Sequence, residues 1–354
     1  MTGPDIITSA SGAVLDQAKL SRAIETTTCT WTEAARDMES YLATQVADAS
    51  HTEVIGPLLD AADGSGVVRF GGREVATWGD PSRPEMAFSA TKSVASVVAG
   101  AAYDAELLVP HQPVHDVLGL PEFAEGAARD ITWEHLLQQT SQWEGTLWTK
   151  PTSADLQSFR EGTEVHGTPP GEGWAYNDVR MNLLTYALTV LLGRSLEDVL
   201  RDTVMSPLGA SSTWSWHGYR NSFVDVNGTS VAVVSGGAHW GGGLFVSAAD
   251  FALLGQLYLD GGRAGERQLI SAEWIRRSWS PCEVKPEYGY LWWLNDERKP
   301  WPMAPRTGRG ARGNGGRHLL WVDPARDLVL CSRWNENIGR LLAEVSASVT
   351  PAAA

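Results

Sequence analysis

The sequence has few basic residues, few cysteines and no long apolar run. Its 354 residues include 28 lysines and arginines against 42 aspartates and glutamates, which gives a formal charge of -14. A nucleic-acid partner is disfavoured because binding a phosphate backbone requires clustered basic side chains. No stretch reaches about 18 apolar residues, and the N-terminus lacks the basic start and apolar core of a signal peptide. We therefore expect a cytoplasmic protein with no membrane partner.

Cysteine and metal motifs are equally sparse. Cys29, Cys282 and Cys331 are far apart and outside any Cys-x-x-Cys spacing, which predicts free thiols. His111 and His115 are four residues apart, as metal ligands can be, but the prolines around them disfavour a helix. No Gly-x-Ser-x-Gly sequence is present, which argues against the α/β-hydrolase fold. The sequence predicts no metal and no cofactor.

Apolar periodicity indicates an α+β protein. Helical spacing predicts helices over 31–48, from about 89 onward, and over 131–140, 178–193, 195–205, 248–260, 271–279 and 335–347. A glycine turn predicts a hairpin over 66–79, and YGYLWWL, HLLWV and LVLCSRW are strand-like. We expect residues 1–105 and 241–354 to form an α/β body, with a mainly helical region inserted at 106–240.

One of the five lysines, Lys92, lies among small residues in the stretch FSATKSVASVVAGAAY. Ser89 and Lys92 are three residues apart and so share one face of a helix. The stretch carries no other charge before Asp104, which predicts a helix that is buried all round. A buried amine beside a hydroxyl at a helix N-terminus is suited to proton transfer. A lysine whose ammonium reaches solvent along a buried stem is the alternative.

A second stretch, PGEGWAYNDVRMNLL, places Tyr176, Asn177 and Asp178 directly before a predicted helix. A Pro-Gly turn precedes them, and either Asn177 or Asp178 is suited to cap the helix. Taken in order with Ser89 and Lys92, this stretch resembles the serine β-lactamase and penicillin-binding-protein superfamily. It is most similar to the class C-type branch, with its carboxylesterases and 6-aminohexanoate-dimer hydrolases.

Further motifs fit the superfamily in the expected order, over about residues 50–345. They are ITWEHLLQQTS at 131–141, MSPLG at 205–209, GGLFVSAAD at 242–250, YGYLWW at 288–293, GNGG at 313–316 and VDP at 322–324. Gln142 departs from the pattern, since it replaces the glycine of a Thr-Ser-Gly turn. The resemblance implies a β-lactamase-like fold, in which an antiparallel sheet is flanked by helices.

The resemblance also implies roles for particular residues. Ser89 would be the acylated nucleophile, and Lys92 and Tyr176 would share the proton transfers. The backbone N–H groups of Ser89 and Asn314 would form the oxyanion hole. The family usually has Tyr-x-Asn, so Asp178 stands where a neutral amide is usual and would favour a charged Lys92.

The third motif of the superfamily is altered. It is usually Lys or His, then Ser or Thr, then Gly, but here it is Ala311-Arg312-Gly313. The usual cation and hydroxyl for a substrate carboxylate are missing, which favours an esterase or amidase. Arg312 is either a replacement anion contact or a solvated loop residue. In the glycine-rich loop GGAHWGGG, His239 and Trp240 are candidates for substrate contact, with a packed turn as the alternative.

The sequence thus predicts a serine hydrolase that cleaves a small ester or amide through an acyl-serine intermediate. A D-amino-acid peptidase or amidase, a β-lactamase and a transacylase of the same fold are alternatives. So is a non-catalytic protein that keeps the fold and binds a ligand. The expected partner is a small-molecule substrate, and the sequence leaves the oligomeric state open.

Overall fold

The computed structural model of the chain describes residues 6–28, 36–45, 49–155, 167–237 and 239–352. The helices are α1 (Gln17–Thr27), α2 (Met38–Ala43), α3 (Thr91–Asp104), α4 (Val114–Leu118), α5 (Trp133–Leu137), α6 (Asp178–Leu192), α7 (Leu196–Leu200), α8 (Ala248–Leu259), α9 (Ala272–Ser278) and α10 (Ile338–Ala347). The strands are β1 (Ile6–Thr8), β2 (Val14–Asp16), β3 (Ser65–Phe70), β4 (Arg73–Trp78), β5 (Glu85–Met86), β6 (Thr146–Leu147), β7 (Lys150–Pro151), β8 (Ser215–Val226), β9 (Thr229–Val234), β10 (Gly243–Val246), β11 (Arg263–Ala264), β12 (Arg267–Gln268), β13 (Trp293–Leu294), β14 (Arg309–Gly313), β15 (His318–Asp323), β16 (Leu328–Arg333) and β17 (Val349–Thr350).

The main sheet is antiparallel and has the strand order β13-β14-β15-β16-β3-β4. All residues of β15 and β16 are buried. Strands that are covered on both faces typically contain long apolar runs, as these two do. Helix α8 packs across β3, β15 and β16. It comes close at Gly255, where a Cβ would lie only 2.6 Å from Val329 Cγ1. The predicted α+β fold with an antiparallel sheet flanked by helices is confirmed.

The hairpin predicted at 66–79 is formed by β3 and β4. Gly71 and Gly72 connect the strands with φ of 56° and 76°, the left-handed conformations that a tight two-residue turn requires. A smaller sheet has the order β5-β10-β8-β9. Its long hairpin, β8 and β9, lies inside the region predicted as mainly helical, and the sequence analysis did not predict it.

Helix α3, which carries Lys92, is buried on all sides, as predicted. Eleven of its 14 residues are buried, and it contacts β14, α6, α7 and α9. Gly100 lets α9 approach, since a Cβ there would lie 2.5 Å from Trp274 Cδ1. The helix begins at Thr91, two residues later than predicted, because a 3-10 turn over Phe88–Ala90 precedes it.

Several other expectations are corrected in detail. Of the helix predicted over 31–48, the described residues show only α2, and 31–35 and 46–48 lie outside the described residues, as does Cys29. The strand predicted at YGYLWWL is reduced to β13, because the chain turns at Leu291 with φ of 64°. Cys282 and Cys331 are buried free thiols. Within the described ranges, none of the helices has the length and apolarity that a membrane span requires.

Candidate active site

Ser89 lies in the 3-10 turn before α3, and this turn is held between two strands. The N–H of Ala87 donates to Leu244 O of β10 at 2.8 Å. On the other side, Gly313 at the end of β14 lies so close that a Cβ there would be 2.4 Å from Ala87 O. Phe88 has φ of 49°, a left-handed conformation that costs a non-glycine residue about 1–2 kcal/mol. The neighbouring strands therefore fix a strained turn that carries the hydroxyl.

Lys92 lies in the first turn of α3 and is 1% exposed. Its ammonium donates to Ser89 Oγ at 3.3 Å and lies 4.7 Å from the centre of the Tyr176 ring. It also forms a buried ion pair with the carboxylate of Asp178. The structure thus brings together the serine, lysine and tyrosine that the sequence analysis predicted, and it places Asp178 against the lysine.

The start of α6 positions Tyr176 and Asp178. Asn177, one of the two predicted caps, is the N-cap: its Oδ1 accepts from the N–H groups of Val179 and Arg180, both at 3.0 Å. Its Nδ2 donates to Thr152 O at 2.9 Å, so both ends of the amide are bonded. The cap fixes the backbone at the start of α6, where Tyr176 precedes the helix and Asp178 is its first residue. A carboxylate in this first turn is favoured by the helix dipole.

Asp178 also belongs to a wider group of buried charges. Its Oδ2 lies 3.2 Å from His239 Nδ1, and the same nitrogen lies 3.4 Å from Asp155 Oδ1. The backbone N–H of Asp178 donates to the Asp155 carboxylate. All four residues, Lys92, Asp155, Asp178 and His239, are at most 5% exposed. Two carboxylates therefore face one ammonium and one imidazole, and the group is neutral when the imidazole is protonated.

The pKa shifts agree with this charge balance. Burial alone would raise the pKa of the Asp178 carboxyl, but the adjacent Lys92 and His239 outweigh burial and hold that pKa below its ordinary value. Burial alone would lower the pKa of His239, but Asp178 and Asp155 outweigh it and raise that pKa above its ordinary value. For Asp178 and His239, the neighbouring charges therefore outweigh the cost of burial.

The glycine-rich loop contributes to this group through its backbone. A Cβ at Gly237 would lie 2.3 Å from Asp178 Oδ2, so only glycine leaves room for the carboxylate. Ser235 holds the loop there, because its Oγ accepts from the N–H of Gly237 at 3.2 Å and donates to Gly237 O at 2.5 Å. The close approach expected of such a loop is therefore made to a side chain of the protein.

Asp155, Asp178 and His239 are also residues of the types that bind metals, and their ligand atoms all lie within 4.8 Å of one another. Carboxylate oxygen and imidazole nitrogen suit several divalent ions. However, the Lys92 ammonium already contacts one oxygen of Asp178, which disfavours a second cation beside it. The arrangement therefore favours an ion-pair group, and the absence of a metal stays a prediction.

A small cleft lies over Ser89 and is lined by this serine, by Tyr176 and by residues of the altered third motif. Its lining residues are Ser89, Tyr176, Trp293, Arg312, Gly313, Asn314 and Gly315. The Arg312 guanidinium lies 5.5 Å from the centre of the Trp293 ring, so this arginine packs at the cleft, and its role as an anion contact stays a prediction. Asn314 follows Gly313 with φ of 50°, and its Oδ1 accepts from Tyr41 Oη at 2.5 Å.

His239 and Trp240 occupy different positions from those considered for substrate contact. Neither lines the cleft over Ser89 among the residues that the structure describes. Trp240 is fully buried, and its Nε1 donates to His51 O at 2.7 Å. His239 contacts Asp178, which in turn is paired with Lys92. The structure thus favours the packed-turn alternative for this loop.

Three residues of the site were missed by the sequence analysis: Tyr41, Asp155 and Trp293. Trp293 lies in the YGYLWW motif, so the motif was a signal that could have found it. Tyr41 and Asp155 carry no local signal, because each contacts a residue that is distant in sequence. Gln142 has φ of 49°, so it adopts the conformation that the usual glycine supplies at little cost.

Comparisons with known proteins show the family and the fold of the chain. A family model described as Beta-lactamase matches residues 58–339, and the chain belongs to that family. A candidate D-alanyl-D-alanine carboxypeptidase of Escherichia coli O157:H7 is 23% identical over 221 residues, which cover 52% of this chain and 50% of that protein. The chain therefore matches about half the length of this curated relative.

Solved structures show the same fold at low identity. A penicillin-binding-protein homologue from Caulobacter crescentus has a TM-score of 0.62 and 17% identity, over 97% of this chain and 100% of that chain. A candidate 6-aminohexanoate-dimer hydrolase from Bacillus anthracis has a TM-score of 0.56 and 16% identity, over 80% and 77% of the two chains. The resemblance identified from the motifs is confirmed at the level of family and fold.

Proposed function

We propose that the protein is a serine hydrolase that cleaves a small ester or amide through an acyl-enzyme on Ser89. The observation that carries the proposal is that Ser89 and Tyr176 line one cleft, while the buried Lys92 Nζ lies 3.3 Å from Ser89 Oγ and 4.7 Å from the centre of the Tyr176 ring. A hydroxyl is a weak nucleophile unless an adjacent group takes its proton. This grouping supplies such neighbours.

In the first half of the reaction, Ser89 Oγ attacks the carbonyl carbon of the substrate. The serine proton passes to the Tyr176 phenolate, which the Lys92 ammonium stabilises by its charge. The carbonyl oxygen becomes an oxyanion that the N–H groups of Ser89 and Asn314 bind. The bond to the leaving alcohol or amine then breaks, and the leaving group takes the proton from the tyrosine.

In the second half, a water molecule attacks the acyl carbon. Tyr176 accepts a proton from the water and returns it to Ser89 Oγ as the ester bond breaks, so the enzyme regains its starting state. Lys92 does not act as the base in this scheme, because its ammonium is paired with the Asp178 carboxylate. The lysine instead orients the serine hydroxyl and stabilises the phenolate.

Arg312 favours a second candidate, an amidase or peptidase whose substrate carries a free carboxylate. Its guanidinium packs at the cleft on Trp293, and a planar guanidinium binds carboxylate well. The usual hydroxyl of the third motif is missing, since Arg312 occupies that position. An ester or simple amide remains the preferred substrate class because it needs no such carboxylate contact.

The test is covalent labelling followed by a substrate screen. A fluorophosphonate probe should label the wild-type protein on Ser89, and Ser89→Ala should abolish the label. Tyr176→Phe should lower turnover by orders of magnitude while the protein stays folded. Aryl esters, linear amides, D-amino-acid dipeptides and β-lactams, each with and without an added amine acceptor, separate hydrolysis from transfer. A folded wild-type protein without a Ser89 adduct would support the non-catalytic alternative.

A further inference from the structure

Two residues in left-handed conformation lie on the two sides of the proposed oxyanion hole. Phe88, with φ of 49°, precedes Ser89, and Asn314, with φ of 50°, is the second predicted donor. Both are non-glycine residues, so each costs free energy that neighbouring contacts must offset. Because the direction of each backbone N–H depends on these dihedral angles, whatever holds Phe88 and Asn314 also aims the two donors.

Phe88 is held by aromatic rings. Its ring centre lies 4.9 Å from that of His318 and 5.7 Å from that of Trp334, edge to face in both cases. His318 and Trp334 are themselves 4.5 Å apart. Trp334 is fully buried and fixed by a hydrogen bond of 3.1 Å from its Nε1 to Glu85 Oε2. Edge-to-face packing is favourable at these separations.

The ring of His318 behaves as a neutral aromatic group in this cluster. Burial lowers its pKa well below the ordinary value, and the charges of Arg333 and Arg317 lower it further. The imidazole therefore packs against Phe88 without a net charge at neutral pH. The cluster is apolar in character where it supports the strained turn.

Tyr41 of α2 connects this cluster with Asn314. Its ring lies 6.1 Å from that of Trp334 at an interplanar angle of 71°. Its hydroxyl donates to Asn314 Oδ1 at 2.5 Å, and Gln45 Nε2 donates to the same oxygen at 3.4 Å. A single side chain thus contacts the support of Phe88 with its ring and the side chain of Asn314 with its hydroxyl.

We propose that Tyr41, His318 and Trp334 form an aromatic clamp that positions both N–H donors of the oxyanion hole. They are positioning residues, since they act through Phe88 and Asn314 and not on the substrate. Tyr41 lies outside residues 58–339, the part that matches the family model. The N-terminal helix α2 is therefore a functional part of the site in this chain. The inference rests on the proposed acyl-serine chemistry.

The experiment compares an ester with its thionoester, in which sulfur replaces the carbonyl oxygen. Backbone N–H donors stabilise a developing oxyanion better than a developing thiolate, so the ratio of the two rates reports on the oxyanion hole. In Tyr41→Phe, kcat for the ester should fall about 3- to 10-fold, the effect of one hydrogen bond. KM should stay the same, and the ester-to-thionoester ratio should fall.

The matched control is Tyr186→Phe. The Tyr186 ring also packs edge to face on a tryptophan, Trp148, at 6.5 Å, but it lies away from the cleft over Ser89. Its substitution should leave kcat and the rate ratio unchanged. A second variant, Asn314→Gly, keeps the left-handed backbone and removes the amide that Tyr41 contacts. Adding Tyr41→Phe to it should cause no further loss of kcat.

Two results would overturn the clamp. One is an unchanged ester-to-thionoester ratio in Tyr41→Phe, even with a lower ester rate, because that pattern indicates a general structural effect. The other is an additive loss in the double variant. A wild-type protein whose Ser89 is not labelled would overturn the proposed function and the clamp together. A labelled wild type with either of the two results overturns the clamp alone.

Discussion

Replacing Asp178 with asparagine removes the charge that faces Lys92 and restores the amide usual in the family. Both partners of this ion pair are 1% exposed, so solvent cannot replace the lost charge. Breaking a buried pair costs about 3–5 kcal/mol because one charge is left without a partner. The asparagine Oδ1 still accepts a hydrogen bond from the ammonium, worth about 1 kcal/mol. We therefore expect Asp178→Asn to lower the free energy of unfolding by about 2–4 kcal/mol.

A double-variant cycle tests this reasoning by equilibrium denaturation at neutral pH. Lys92→Met alone leaves two carboxylates against His239, whereas Lys92→Met with Asp178→Asn leaves Asp155 and His239 in balance. The double variant should be more stable than the sum of the single effects by at least about 2 kcal/mol. Additivity within about 0.5 kcal/mol would show that the charges act independently and would refute the account.

An exposed ion pair provides the matched control for this cycle. Glu273 pairs with Arg276 at 2.6 Å, and the two side chains are 40% and 66% exposed. Glu273→Gln should change the free energy of unfolding by less than about 0.5 kcal/mol, as is usual for surface pairs. Glu273 also contacts Arg277 at 2.8 Å, so the control compares a buried carboxylate that faces a cation with an exposed one.

Two further predictions concern His239 and Gly237, which both lie next to Asp178. Because the pKa of His239 is raised in the folded state, its stabilising contribution is full below about pH 6.5 and is lost as the pH rises through the folded-state pKa. The difference in unfolding free energy between wild type and His239→Gln should therefore shrink as the pH rises above about 6.5, and a constant difference would contradict this. Gly237→Ala should lower kcat at least about tenfold, since the new Cβ would lie 2.3 Å from Asp178 Oδ2. Gly339→Ala, which has no atom within 4 Å of its Cβ position, should leave kcat unchanged, and equal effects of the two substitutions would rule out the proposed role of the close approach.

The parts of the fold that the sequence predicts well are those with strong local patterns. Helix α6 was predicted over 178–193 and covers Asp178–Leu192, because its apolar residues and Asn177 cap are local signals. The hairpin of β8 and β9 was missed although it turns at Asn227 and Gly228, with φ of 52° and 82°. Asn-Gly is a strong hairpin signal, so the sequence does encode this turn locally.

The residues of the site also fall into those that local motifs predict and those that they do not. Ser89, Lys92 and Tyr176 lie in short motifs whose residue types are suited to nucleophilic attack and proton transfer. The sequence alone is therefore enough to name them as candidates. Asp155 and Tyr41 contribute through contacts with residues 23 and 273 positions away. No local pattern encodes such contacts, since they arise only when the fold brings separate segments together. The contacts of His239 with Asp155 and Asp178 also join separate segments, so the sequence does not predict them.

The pairing of β3 with β16 has a consequence for the order in which the protein becomes active. Residues 65–70 pair with residues 328–333, so the sheet beside α3 closes only after residue 333 has been synthesised. Such distant pairing slows folding, and the early segments wait without their partners. The apolar surfaces of β3 and α3 are exposed during that interval, which makes the nascent chain a candidate for chaperone binding. Ser89 is synthesised well before Gly313 and Asn314, which complete the lining of its cleft.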